Sequence, residues 1–302
     1  MSRSNILLGS ILAGAAGIGF AANSTAAKLA YDGGTNPLTF LTLRSALAAL
    51  LVLTIVLITR RSLRMPFRRR LAACGIGVIL ATYSYGVLAA IQYIPVALAI
   101  LIFYTFPLLT AAYTWVSGRE RPTVLSVGAL LVAFLGLGLA LDIGSGQMNP
   151  LGIALAAGAA LGVTAVILLN NRLVGNEDSY PVTLHMMFSA AALCALVTVL
   201  LGDFMLPQTN TGWASLGIGT ASYAAAITTV FIAVSLAGPV PVTLSMNLEP
   251  VASMALGFIV LGQLLSGIQL LGAGLVIMAV TSVRLADIRK TSTITLPRQE
   301  TN

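Results

Sequence analysis

One carboxylate, Glu249, stands in the middle of a long apolar stretch, with few other reactive side chains at similar depth. A charge at the centre of a bilayer costs about 3 kcal/mol on insertion scales. Glu249 must therefore face protein or water, or carry a proton. It can bind a substrate ammonium, relay a proton, or simply pair with a polar neighbour. Tyr83, Tyr85 and Tyr104 sit inside equally apolar stretches, although tyrosine prefers interfaces where its hydroxyl stays wet. A buried ring face attracts an ammonium group and the hydroxyl can bind a carboxylate. Tyr83 and Tyr85 are two residues apart and point to different faces of a helix, so at most one is central. Asn23, Thr164 and Asn247, with Tyr223 and Thr228, add further polar groups; each serves as ligand or as interhelical bond. Arg44 can hold a carboxylate, snorkel outward or pair with a helix end. Lys28 and Asp32 are spaced for a rim ion pair. His185 is a packing residue or a proton shuttle.

Two prolines, Pro107 and Pro250, interrupt apolar stretches near their middles. Proline removes a backbone donor and clashes with the carbonyl four residues back, which frees the carbonyls of Phe103 and Met246. Within lipid such groups are tolerated only where protein or a watery cavity satisfies them. The prolines either hinge helices along a substrate path or merely shape packing.

The elements that carry these residues follow from composition. Of 302 residues, 58% are hydrophobic and 8% charged, against about 25% charged in soluble domains. Lipid must cover most of the surface. Ten apolar spans can be read, at 6–30, 37–59, 71–93, 95–116, 122–141, 150–172, 181–201, 212–236, 240–261 and 264–284. Each has the roughly 20-residue length of a crossing helix. Continuous Leu, Ala, Val and Ile exclude barrel strands, which alternate. The first span has the look of a signal peptide, but it is long and its pattern recurs later, so it is read as a retained helix. If the spans alternate from a cytoplasmic N-terminus, fourteen of sixteen basic residues fall on the cytoplasmic side, Arg60 to Arg70 among them. The outer loops then carry Asp32, Asp142 and Asp203 and no basic residue. The positive-inside rule places both termini in the cytoplasm.

The sequence also matches itself at a shift of 143 or 144 residues: Gly9 falls on Gly152, Gly19 on Gly162, Pro37 on Pro181 and Phe106-Pro107 on Glu249-Pro250. Each half holds five spans. Five is odd, so the second half enters the membrane inverted, and inverted repeats typically place a substrate site at the midplane between them.

The segments Asn23-Ser24-Thr25-Ala26-Ala27-Lys28 and Leu248-Glu249-Pro250-Val251, within two five-helix halves, resemble the EamA-type drug/metabolite transporter superfamily over about residues 5–285. Length, short loops and Phe103-Tyr104-Thr105-Phe106-Pro107 look most like the YddG-type amino-acid exporters of bacterial inner membranes. The resemblance implies export of aromatic and other neutral amino acids from a central cavity lined by several helices.

The expectation is an all-α membrane protein of ten helices. Residues 1–147 and 148–290 form the two inverted repeats, and 291–302 a cytoplasmic tail. It exports neutral amino acids by alternating access. Tyr83, Tyr104, Glu249, Asn247, Asn23, Thr164 and Tyr85 are the candidate binders, and Pro107 and Pro250 the hinges. No metal or cofactor is expected; the partners are a small amino acid and membrane lipid, with no nucleic acid, and a single copy of the chain is the working unit. Export of another small metabolite, nucleoside-like or a drug, is the alternative. An intramembrane lipid-modifying enzyme would need a clustered nucleophile, acid pair or metal set. The sequence has no HExxH, CxxC or paired carboxylates within the spans. Cys74 and Cys194 read as buried thiols in apolar runs.

Overall fold

The computed structural model describes residues 3–60, 62–90, 93–94, 96–118, 123–141, 149–175, 178–262 and 266–292. Most of the expected outer loop at 142–149, nearly all of the 291–302 tail, and Arg61, Arg119, Arg121 and Arg298 lie outside the described residues. Among those described there is no strand. The helices are α1 (Arg3–Asp32), α2 (Pro37–Ile58), α3 (Phe67–Ala90), α4 (Val96–Phe103), α5 (Phe106–Val116), α6 (Val124–Ala140), α7 (Pro150–Val174), α8 (Ser179–Leu201), α9 (Asn210–Ala237), α10 (Pro239–Met246), α11 (Leu248–Leu261) and α12 (Gly267–Ser292).

Short polar residues start the long helices. Asn36, Thr123, Asn149, Asp178 and Thr209 each turn a side-chain oxygen onto an N–H of the first turn. This satisfies a donor that the helix itself leaves free. Pro37 and Pro150 follow directly, where a missing N–H costs nothing. Gly202 ends α8 in the left-handed conformation (φ 66°) that other residues resist.

Two of the expected spans are broken. The stretch 95–116 divides at Tyr104–Thr105 into α4 and α5, and 240–261 divides at Asn247 into α10 and α11. Each break lies a few residues before its proline, where the ladder of hydrogen bonds is lost. Among the described residues, eight helices or helix pairs are long and apolar enough to cross a membrane, with two shorter apolar helices at Val124–Ala140 and Gly267–Ser282. The chain is a multi-pass, all-helical membrane protein. Leu50, Leu57, Ile58, Val199 and Leu270 are exposed on its outer face, as a lipid-covered surface requires.

Packing runs through small residues. α1 lies along α9, α3 along α7, α2 against α8 and α6 against α12. A methyl group added to Gly136 or Gly272 would stand 2.8 or 2.3 Å from the backbone of the opposing helix. Without a hydrophobic force to press helices together in lipid, such close backbone approach supplies the attraction. These contacts fix the frame in which the broken helices meet.

Candidate functional site

Between α1, α2, α3, α7, α9 and the two breaks lies a cavity of about 210 Å³. Its polar lining consists of Asn23, Ser24, Arg44, Tyr83, Tyr223 and Glu249, with Ser84 beside them. Apolar walls come from Phe20, Phe103, Phe106 and Val163.

Glu249 reaches the cavity because Asn247 ends α10 and Leu248 begins α11, which places the carboxylate in the first turn of α11. There the free N–H groups and the helix dipole favour a negative charge. Gly17 of α1 lies against it: a methyl there would stand 3.3 Å from the Glu249 nitrogen. Tyr83 is positioned in the same way from α3. Its Cβ would be 2.6 Å from a methyl on Gly162 of α7, so only glycine lets the two helices meet here. The Tyr83 ring stacks on Phe103 at 6.1 Å between centroids. Phe103, Tyr104 and Phe106 lie 5.6–5.7 Å from one another, a rigid aromatic floor built by the α4–α5 break.

Across the cavity, Arg44 of α2 lays its guanidinium 4.2 Å from the centre of the Tyr223 ring. Phe20 packs on the same ring at 5.8 Å. The Arg44 Nε is buried with no hydrogen-bond partner, and so are the Asn23 Oδ1 and the Tyr223 hydroxyl. Each unpaired buried group costs about 1–3 kcal/mol, and three of them converge on one small space. Arg44 and Glu249 are not joined by an ion pair among the described residues.

The other expected binders stand as follows. Tyr104 is buried with its hydroxyl beside the Glu249 carboxylate, although without good hydrogen-bond geometry. Asn247 is buried at the α10–α11 break, where its Nδ2 donates to the carbonyls of Thr243 and Leu244. Thr164 is buried behind Phe106; it donates to the Ala160 carbonyl at 2.8 Å and reaches the Phe106 carbonyl at 3.4 Å. Neither of these two lines the cavity. Tyr85 is corrected outright: it is half-exposed on the outer face of α3, because two residues turn a helix by about 200°. Pro107 and Pro250 are both buried, in the first turns of α5 and α11. Sequence reasoning passed over Phe20, Ser24 and Ser84. Gly17, Phe20 and Ser24 share one stripe of α1 by their three- and four-residue spacing, and that stripe was the available signal.

The chain matches the EamA-like transporter family over residues 7–141 and again over 150–285. It is 28% identical over 236 residues to the threonine/homoserine exporter RhtA of Escherichia coli strain K12, covering 77% of each chain. The proteins of that name in strains O6:H1 and O157:H7 match equally. A solved crystal structure overlays with a TM-score of 0.78 at 20% identity, covering 96% of this chain and 99% of the other, which is a likeness of fold alone.

Proposed function

Because the chain belongs to the EamA-like transporter family, matched twice along its length, we propose that it exports neutral amino acids across the bacterial inner membrane by alternating access. The observation that carries this reading is the Glu249 carboxylate on the wall of a cavity of about 210 Å³. A carboxyl group sharing the cavity wall with the Tyr83 ring and the Asn23 carbonyl oxygen suits an ammonium group. The volume falls below the 300–1,000 Å³ typical of drug-sized pockets, which disfavours the nucleoside or drug alternative. The likeness to an exporter of threonine and homoserine agrees with a small polar cargo.

The ten-span count and the inverted repeat belong to the same proposal. The helix breaks at Tyr104 and Asn247 are 143 residues apart, the shift at which the sequence matches itself. The packing supports this reading, since an operation that turns α1 into α7 and α9 into α3 relates the pair α1–α9 to the pair α3–α7. The pairs α1–α9 and α3–α7 both occur. Bonds lie at opposite ends of the protein, one set at the α1–α9 and α2–α8 ends and the other between α7 and its neighbours α3 and α5. On one side Gln208 donates to the Gly33 carbonyl and Asn36 to that of Asp203. On the other, Arg69 donates to the Leu173 carbonyl and Arg172 meets Tyr113. Alternate breaking of the two sets, with Pro107 and Pro250 as hinges, opens the cavity first inward and then outward. With a cytoplasmic N-terminus the Arg69 and Arg172 set is the inner one.

The test is uptake of radiolabelled threonine into proteoliposomes, with competition by neutral amino acids. Inhibition by several of them is expected. Absence of uptake for every amino acid in the panel overturns the reading, and inhibition by one alone removes the breadth.

A further inference from the structure

Among the described residues, Arg44 forms no contact ion pair and its Nε has no hydrogen-bond partner. Its guanidinium rests on one face of the Tyr223 ring, 4.2 Å from the centroid. A ring face engages the plane of the guanidinium and leaves the N–H edge free. On that edge the buried Nε has no acceptor. The residue lines the cavity, so it has not snorkelled to a headgroup. Nor does it form a contact ion pair with Glu249 among the described residues. A side-on guanidinium edge, Nε with one terminal nitrogen, matches the two oxygens of a carboxylate.

We infer that Arg44, held by Tyr223, is the anchor for the substrate's α-carboxylate, so that a free carboxylate is required for transport. This rests on the amino-acid reading above and adds an orientation to it. The carboxylate lies toward α2 and α9, the ammonium toward Glu249 on α11, and the side chain over the Phe103–Phe106 floor. The two charges of a zwitterion then bridge two cavity walls of opposite sign. Neither the amine nor the carboxylate alone satisfies both. Tyr223 is a positioning residue here: it holds the guanidinium plane and offers its hydroxyl, itself unpaired, to the second carboxylate oxygen.

The experiment compares L-threonine with its methyl ester and with threoninamide as competitors of threonine uptake in proteoliposomes, for the wild-type chain, Arg44→Lys and Arg44→Gln. The ester and amide keep the ammonium and side chain but lose the anion. Loss of a charge-assisted bond corresponds to roughly ten- to hundredfold in affinity. The wild-type chain should therefore prefer threonine over either analogue by that factor. Arg44→Gln should lose most threonine transport and most of the preference. Arg44→Lys, which keeps the charge without the fork, should retain an intermediate preference.

Equal competition by threonine and its ester in the wild-type chain overturns the inference while the amino-acid reading stands. Absence of amino-acid uptake overturns both. If Arg44→Gln fails to reach the membrane folded, the wild-type preference and the Arg44→Lys ratio still decide. A variant that transports less threonine with its ester preference unchanged assigns Arg44 to packing and also overturns the inference.

Discussion

Gly162 and Gly158 lie one turn apart on α7 and offer a controlled test of how Tyr83 is held. A methyl on Gly162 would stand 2.6 Å from the Tyr83 Cβ, whereas one on Gly158 meets nothing within 4 Å. Carbon atoms pack best at about 3.5–4.0 Å, so Gly162→Ala drives α7 and α3 apart by about 1 Å. The Tyr83 Cβ is fixed to the backbone, so no rotamer change relieves the overlap. Both substitutions gain the same helix propensity, about 0.8–1.0 kcal/mol. Their difference therefore isolates the overlap, an expected 1–3 kcal/mol. Reversible unfolding of the purified protein in mixed detergent, followed by circular dichroism, measures it. Gly158→Ala should be neutral or slightly stabilised and transport normally. Gly162→Ala should be less stable than Gly158→Ala by that margin and transport poorly, because the ring that stacks on Phe103 is displaced. Equal stabilities within about 0.5 kcal/mol, well under the expected overlap cost, would refute the tight α3–α7 crossing.

Topology is tested by labelling with an impermeant thiol reagent in a chain lacking Cys74 and Cys194. A cysteine within 142–149 should react in intact cells, and one within 60–70 only after lysis; the reverse pattern inverts the orientation. Tyr83→Ala and Tyr104→Ala should each lower transport with folded protein still in the membrane. Full transport by the double variant would remove α3 and the α4–α5 break from the site.

Part of the frame was legible because proline acts locally. Pro107 and Pro250 located both helix breaks to within a few residues, since a missing donor has the same effect in any surroundings. The placing of Glu249 and Tyr83 within long apolar helices was legible from the length of the apolar runs alone. What the sequence withheld was which way each helix faces. In a soluble protein the apolar stripe marks the buried face, but lipid is as apolar as a protein core and erases that stripe. Tyr83 and Tyr85 therefore looked equivalent until α7 was seen to cover one and not the other. Arg44 was ambiguous for a related reason. A guanidinium seven residues inside a helix suits snorkelling and cavity lining alike, and only Tyr223, brought to it from α9, separates the two. Asn247 donates to carbonyls beside its break, and Thr164 donates chiefly to the Ala160 carbonyl of its own helix, reaching the Phe106 carbonyl at 3.4 Å. A break creates that demand for donors next to the very cavity it opens.

The two breaks have diverged in chemistry while keeping position. Tyr104 and Phe106 of the first correspond to Asn247 and Glu249 of the second at a shift of 143 residues. One break therefore supplies an aromatic floor and the other an anion, so the cavity is polar on one side and apolar on the other. On this reading the size of the side chain is gauged at the aromatic floor and at Val163, which lines the same wall and is buried. Val163→Ala removes about two methyl groups of contact, worth about 0.8 kcal/mol each, or about 1.6 kcal/mol and roughly fifteenfold in preference. Threonine should lose affinity by up to that factor and phenylalanine should gain, while the contribution of Arg44 and Glu249 stays common to both. The ratio of their inhibition constants against labelled threonine in proteoliposomes, wild type against variant, reads the change directly. A ratio unmoved by Val163→Ala would mean that the side chain does not lie over this floor and must be placed against another wall of the cavity, with the two charges still at Arg44 and Glu249.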